Sequence, residues 1–156
     1  MEQGFVKVAS ATPRIRVADP VYNAQVICEQ AKEAAEHGAK IVVFPELCIT
    51  GYTCNDLFLQ ELLLEKAKEA LLTIAEETGQ LETLFLVGLP VDKDGRLYNV
   101  AAVLYRGRIL GMIPKKNIPM YAEFYEGRHF TPGEETVTEY RLGKQVIPFG
   151  SNLLFR

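Results

Sequence analysis

Hydrophobic and polar positions along the chain follow two rhythms. Phe5-Val6-Lys7-Val8-Ala9 is β-rich and largely apolar, and reads as a short opening strand. From Asp19-Pro20 the rhythm changes. Val21, Ala24, Ile27, Cys28, Ala31, Ala34 and Ala35 recur at three-or-four spacing, which predicts a helix with one buried face. Asp19 can accept a bond from a free N–H, Pro20 is tolerated at the first helical position, and Gly38 supplies a stop. Lys40-Ile41-Val42-Val43-Phe44 is then a continuous apolar run ended by Pro45, the pattern of an interior strand covered on both faces. Asn55 or Asp56 is placed to cap a second helix, whose buried stripe is Leu63, Ala67, Ala70, Leu71 and Ile74 and which ends at Gly79.

Beyond Gly79 the rhythm is that of strands. Residues 83–89, 97–105 and 109–113 are β-prone runs separated by the turns Asp92-Lys93-Asp94-Gly95 and Arg106-Gly107. Thr131-Pro132-Gly133 breaks the chain, and two short β-prone pieces follow at 136–140 and 145–147. Strand, helix, strand, helix and then several strands joined by tight turns predicts an α/β fold, a mixed sheet with helices on one face. No repeat or linker divides residues 1–156. Ser151-Asn152-Leu153-Leu154-Phe155-Arg156 has the apolar character of a further structural segment, as in a chain cut from a longer protein.

Composition narrows the function classes. With 156 residues, 48% of them hydrophobic and 24% charged, the chain can bury one core. A net charge of -3 and the lack of a Lys/Arg-rich run argue against nucleic acid as a partner. No stretch approaches the roughly 20 apolar residues of a membrane span, and the short acidic N-terminus does not read as a secretory signal. Cys28, Cys48 and Cys54 are odd in number and lack CxxC spacing, which fits reduced thiols in a cytoplasmic protein. His37 and His129 stand far apart, so no metal centre is expected.

Two segments carry chemistry. Val43-Phe44-Pro45-Glu46-Leu47-Cys48-Ile49-Thr50-Gly51-Tyr52 ends a buried strand at a proline and delivers Glu46 from its C-terminal end, where open α/β sheets place their crevices. A glutamate desolvated at such a place is suited to shuttling protons; a loop-capping role is the structural alternative. Ile113-Pro114-Lys115-Lys116-Asn117-Ile118-Pro119-Met120-Tyr121 repeats the device with a lysine, and the aromatic, charged run to Phe130 resembles a pocket wall more than a solvated loop.

In this order the two segments resemble the nitrilase, or carbon–nitrogen hydrolase, superfamily. Phe44-Pro45-Glu46 is similar to its glutamate motif, and Lys115 with Ile118 to its lysine motif. Ala9-Ser10-Ala11-Thr12-Pro13, the run from Leu47 through Cys54 with Asp56-Leu57-Phe58, Pro119-Met120-Tyr121 and Phe124-Tyr125-Glu126 bring the likeness nearer to the glutaminase domains of glutamine-dependent NAD⁺ synthetases. The resemblance implies the N-terminal portion of an αββα sandwich. It makes Glu46 the general base and acid and Lys115 the oxyanion stabiliser, with Lys116 a surface charge. Tyr52, Tyr121 and Phe124 would shape a glutamine pocket, and Glu126 would bond near the lysine.

The resemblance further implies a homo-oligomer, a glutaminase that needs no metal or organic cofactor, and a synthetase domain elsewhere in the parent chain that uses ATP and deamido-NAD⁺. The family's nucleophile is a cysteine on a strand end after the lysine loop, yet none of residues 116–156 is a cysteine. Cys28 falls in a helix stripe, and Cys48 and Cys54 lie inside the glutamate motif. The expectation is therefore an incomplete domain, inactive alone. Two alternatives stay open: part of a stand-alone amidase or carbamoylase acting on another small amide, and a non-catalytic interaction module of the same fold.

Overall fold

The computed structural model describes residues 4–156. Its elements in chain order are β1 (Val8–Ser10), α1 (Pro20–Glu36), β2 (Ile41–Val43), α2 (Glu61–Glu77), β3 (Leu84–Lys93), β4 (Arg96–Tyr105), β5 (Arg108–Pro114), β6 (Thr138–Leu142) and β7 (Gln145–Phe149), with 3-10 turns at Asn55–Leu59 and Glu126–Arg128. The strands form one mixed sheet in the order β1-β2-β3-β4-β5-β7-β6. β1, β2 and β3 run parallel, β4 is antiparallel to both β3 and β5, and β5 meets β7 in parallel. β2 and β5 consequently end at the same edge of the sheet.

The helices pack on each other and against the sheet through the stripes that the spacing predicts. Ile27, Ala31, Leu71 and Ile74 are fully buried and meet Phe85, Val87, Leu104 and Met112 from the strands. Each such Leu, Ile or Phe contributes about 1.5–3 kcal/mol by leaving water. Asp19 caps α1 as expected, accepting from the Tyr22 N–H at 3.1 Å with Pro20 in the first turn. Among the described residues no helix is long and apolar enough to cross a membrane.

Four local expectations are corrected. Val21 is 59% exposed and stands outside the buried stripe of α1. The opening strand is Val8–Ser10 rather than 5–9, because pairing with β2 spans only Val8↔Ile41 to Ser10↔Val43 and leaves Phe5 and Val6 exposed. β2 is covered on one face only, as Val43 is exposed beside the buried Val42. Neither Asn55 nor Asp56 caps α2, which starts after Gln60 with no side-chain cap. Asn55 has φ +49 and opens the 3-10 turn, while the Asp56 carboxylate is engaged by Arg128 Nη2 at 3.1 Å and His129 Nε2 at 3.0 Å.

The sheet places its chemistry through one close crossing. After β2 the chain passes over β3 at Gly88, where a Cβ would stand 2.4 Å from Leu47 N and 2.6 Å from Pro45 O. The crossing is tied by Ile49 N–H to Gly88 O at 3.1 Å and by Phe44 N–H to Leu86 O at 2.9 Å. Only a residue without a side chain admits this approach. Gly88→Ala is expected to destabilise the chain by about 2 kcal/mol or more, lowering the midpoint of thermal unfolding by roughly 5 °C. In amide exchange, Ile49 is expected to lose protection before the core of α2 does.

Candidate active site

Glu46 sits at the crest of that crossing. The next residue, Leu47, has φ +54, a left-handed conformation that a leucine adopts only under constraint. Two features hold it. Its side chain is fully buried with Cys54, Phe58, Leu63 and Phe130 in a small second core, and its carbonyl accepts from Thr50 N–H at 3.1 Å and Gly51 N–H at 2.7 Å. Farther along, the fully buried Asn23 of α1 donates from Nδ2 to Ile49 O at 2.9 Å and to Arg16 O at 2.7 Å. The loop that presents Glu46 is therefore fixed from the sheet below and the helix beside it.

Lys115 follows Pro114 at the end of β5. Its N–H donates to Asn99 O on β4 at 2.7 Å and its carbonyl accepts from Gly133 N–H at 2.8 Å, so the backbone is held on both sides. Glu126 opens the 3-10 turn of the return loop. Phe130 N–H to Glu126 O at 2.8 Å and Thr131 N–H to Leu97 O at 2.7 Å anchor that loop to β4. Asp56 bonds both Arg128 and His129, joining the Glu126 loop to the segment downstream of Glu46.

These placements converge on one ammonium. Lys115 Nζ donates to Glu46 Oε2 at 2.9 Å and to Glu126 Oε1 and Oε2 at 3.0 and 3.1 Å. Tyr52 Oη donates to Glu126 Oε1 at 2.8 Å. Asn99 Nδ2 reaches Glu46 Oε2 at 3.2 Å and Glu126 Oε2 at 3.4 Å. Burial alone would pull the Lys115 ammonium toward neutrality, but the bonds to the two carboxylates outweigh it and hold its pKa above the ordinary lysine value. Burial first, and then the bond to Glu126, push the Tyr52 hydroxyl up to about 12, so it stays a donor.

The two carboxylates are not equivalent. Glu126 is buried, with its side chain 6% exposed, and both of its oxygens are occupied by Lys115, Tyr52 and Asn99. The Glu46 side chain is 51% exposed, and among the described residues only its Oε2 is bonded. Sequence reasoning expected a desolvated Glu46. The position past the strand end is as expected; the desolvation is not present in this structure.

Tyr52, Glu126, Glu46 and Lys115 are thus brought together from separate segments. Tyr121 and Phe124 stand apart from this bonded group: their rings pack edge to face on each other at 5.5 Å, with Tyr121 largely exposed. Lys116 is a surface charge paired with Glu135. Beside Tyr52 and Glu126 lies a cavity of about 140 Å³, lined also by Leu47, Phe58 and Tyr125. Asn99 was missed from the sequence. Its signal was a carboxamide inside the apolar run 97–105, buried to 3% exposure.

The three thiols are buried and unpaired by disulfide. Burial raises Cys28 and Cys48 each to about 11 and raises Cys54 as well. Cys48 Sγ donates to Gly88 O at 3.6 Å, and Cys54 Sγ donates to Thr50 O at 3.2 Å. Cys28 packs in the buried stripe of α1, Cys48 at the crossing and Cys54 in the small core with Leu47, each as a small buried group with a raised pKa. Among the described residues no group of three His, Cys, Asp or Glu side chains is arranged to hold a metal ion.

Comparison with known proteins gives this geometry a lineage. Glutamine-dependent NAD(+) synthetase of Mycobacterium bovis is 39% identical over 99% of this chain, which spans about a quarter of the relative's length, 23%. A crystal structure of a glutamine-dependent NAD(+) synthetase from Cytophaga hutchinsonii superposes with a TM-score of 0.87 at 29% identity, over 93% of this chain and 25% of that one. An amidase from Nesterenkonia shares the fold, with a TM-score of 0.70 at 23% identity over 92% of this chain and 56% of that one. The carbon-nitrogen hydrolase family is matched by residues 7–151. Because that match covers nearly all of the sequence, the chain belongs to the carbon–nitrogen hydrolase family.

Proposed function

We propose that residues 1–156 provide the base and the cationic donor of a glutamine-hydrolysing site, as an incomplete part of a glutaminase domain. The whole protein would pass the released ammonia to a synthetase domain that amidates deamido-NAD⁺ at the expense of ATP. The observation that carries this reading is the division of labour between the two carboxylates. Glu126 has both oxygens bonded and serves to hold Lys115, whereas Glu46 keeps Oε1 open beside the same ammonium. The likeness to glutamine-dependent NAD(+) synthetases over 99% of the chain supports glutamine as the amide.

The chemistry follows from these groups and a cysteine thiol supplied from outside residues 1–156. Glu46 Oε1 takes the thiol proton, and the sulfur attacks the side-chain carbonyl carbon of glutamine. The electron pair displaced onto the carbonyl oxygen meets the Lys115 ammonium. Lys115 can spare a proton for it, because one N–H shared between Glu126 Oε1 and Oε2 satisfies both oxygens. As the tetrahedral intermediate collapses, Glu46 returns its proton to the leaving nitrogen and ammonia departs. Water, deprotonated by the same Oε1, then attacks the thioester carbon; the C–S bond breaks, glutamate is released, and the departing sulfur recovers the proton from Glu46. Tyr52 bonds Glu126, which fixes the ammonium, and the cavity beside them, lined also by Leu47, Phe58 and Tyr125, offers room for part of the substrate. No step calls for a metal or organic cofactor.

Two outcomes test the reading. The 156-residue chain by itself is expected to release no glutamate from glutamine, and its three thiols to resist iodoacetamide at neutral pH. Glutamate release that vanishes in Glu46→Ala would overturn the assignment of an external nucleophile. Joined to the remaining length of the Mycobacterium bovis relative, the chain is expected to gain glutaminase activity. In that fusion Glu46→Gln should lower kcat by about 10²–10⁴-fold, and Lys115→Met by about 10²–10³-fold. Full activity in either variant would contradict the assigned roles.

A further inference from the structure

Asn99 touches every member of the charged group, and sequence patterning gave it no role. It lies on β4 next to the Val100↔Pro114 pair, so its backbone stands beside the end of β5 that presents Lys115. Its carbonyl accepts the Lys115 N–H at 2.7 Å, while its Nδ2 reaches one oxygen of Glu46 and one of Glu126, residues that arrive from opposite sides of the sheet edge. The residue is 3% exposed, so water does not substitute readily for this donor.

We propose that Asn99 is a positioning residue that selects Oε1 of Glu46 as the proton-accepting atom and keeps the two carboxylates apart about a single lysine. A carboxylate oxygen offers two in-plane acceptor sites. On Glu46 Oε2, one is taken by Lys115 Nζ at 2.9 Å and the other by Asn99 Nδ2 at 3.2 Å. That double hold fixes the plane of the carboxylate and turns Oε1 outward. With Lys115 as its sole donor, Glu46 would be free to rotate about its terminal torsion, and either oxygen would then face the incoming thiol.

Charge explains why the residue is a carboxamide. The trio of Glu46, Lys115 and Glu126 already carries one net negative charge, so an aspartate at 99 would add a third carboxylate beside one ammonium. A neutral donor holds both carboxylates without that repulsion. An aliphatic residue of the same size would remove the donor and leave Lys115 as the one protein partner of Glu46 Oε2 among the described residues. The choice of Oε1 rests on the proposed role of Glu46 as base, but the hold on the carboxylate does not, and the test reads the hold directly.

NMR of the 156-residue chain decides it, with glutamate Cδ, lysine Nζ and asparagine Nδ2 labelled and Glu46→Gln and Lys115→Met used for assignment. In Asn99→Leu, the Lys115 ammonium protons should exchange with water roughly tenfold faster, as expected for a lost bond to a charged group. The Glu46 Cδ resonance should shift while the amide spectrum of α1 and α2 stays unchanged. In the nearly isosteric Asn99→Asp, the same loosening should appear at neutral pH. Unchanged ammonium exchange and an unchanged Glu46 resonance in a folded variant would overturn the proposal. If neither variant folds, the unmutated chain still answers. Acidification should move the Asn99 Nδ2 protons in step with protonation of the Glu46 Cδ carboxyl, whereas Asn99 resonances that stay flat through that step would overturn the proposal.

Discussion

One ammonium shared by two carboxylates governs the rest of the site. Lys115 is three-quarters buried, an environment that by itself lowers its pKa, and the bonds to Glu46 and Glu126 at about 3 Å outweigh it and hold the ammonium more firmly than in an ordinary lysine. Removing the lysine would leave two carboxylates side by side without compensation, one of them buried, which is costlier than never having placed them there. The arrangement is therefore strict about geometry. Glu46, Lys115 and Glu126 come from three separate segments, and both carboxylates must arrive within hydrogen-bonding distance of the one ammonium.

Each arrival has its own fixing device. Glu46 depends on a backbone crossing that only Gly88 permits and on a left-handed Leu47 whose side chain is locked in a small core. Lys115 is held by main-chain bonds to Asn99 and Gly133. Glu126 is carried by a loop whose Arg128 and His129 both bond to Asp56. Strain at Leu47 costs on the order of 1–3 kcal/mol and persists only because burial over-determines it. Such stored strain beside Glu46, the proposed base, accords with a carboxylate whose position is fixed in advance by the fold.

Much of the fold was legible from pattern alone, because burial imposes period. The α1 and α2 stripes and the long strands β3 to β5 follow from apolar spacing, and the tight turns from their Gly and Asp residues. Pattern failed where tertiary partners decide. Asp56 had the look of a helix cap, yet Arg128 and His129, more than 70 residues away, claim its carboxylate. β1 was placed too early because its length is set by how far β2 extends beside it. At the site, Glu46 and Lys115 were marked by prolines at strand ends together with the family resemblance. Asn99 carried no such mark: a single buried carboxamide in an apolar strand takes its meaning from neighbours that only the folded sheet supplies.

The central claim is that two carboxylates hold the Lys115 ammonium and raise its pKa, and its titration tests this most directly. A group whose folded pKa is raised contributes stability that is complete below its unfolded value and is lost as pH rises through the folded one. Heteronuclear NMR of the Lys115 side chain through alkaline pH should give a midpoint above that of an ordinary lysine, falling back toward it in Glu126→Gln. A midpoint at or below the ordinary value in the unmutated chain would contradict the account.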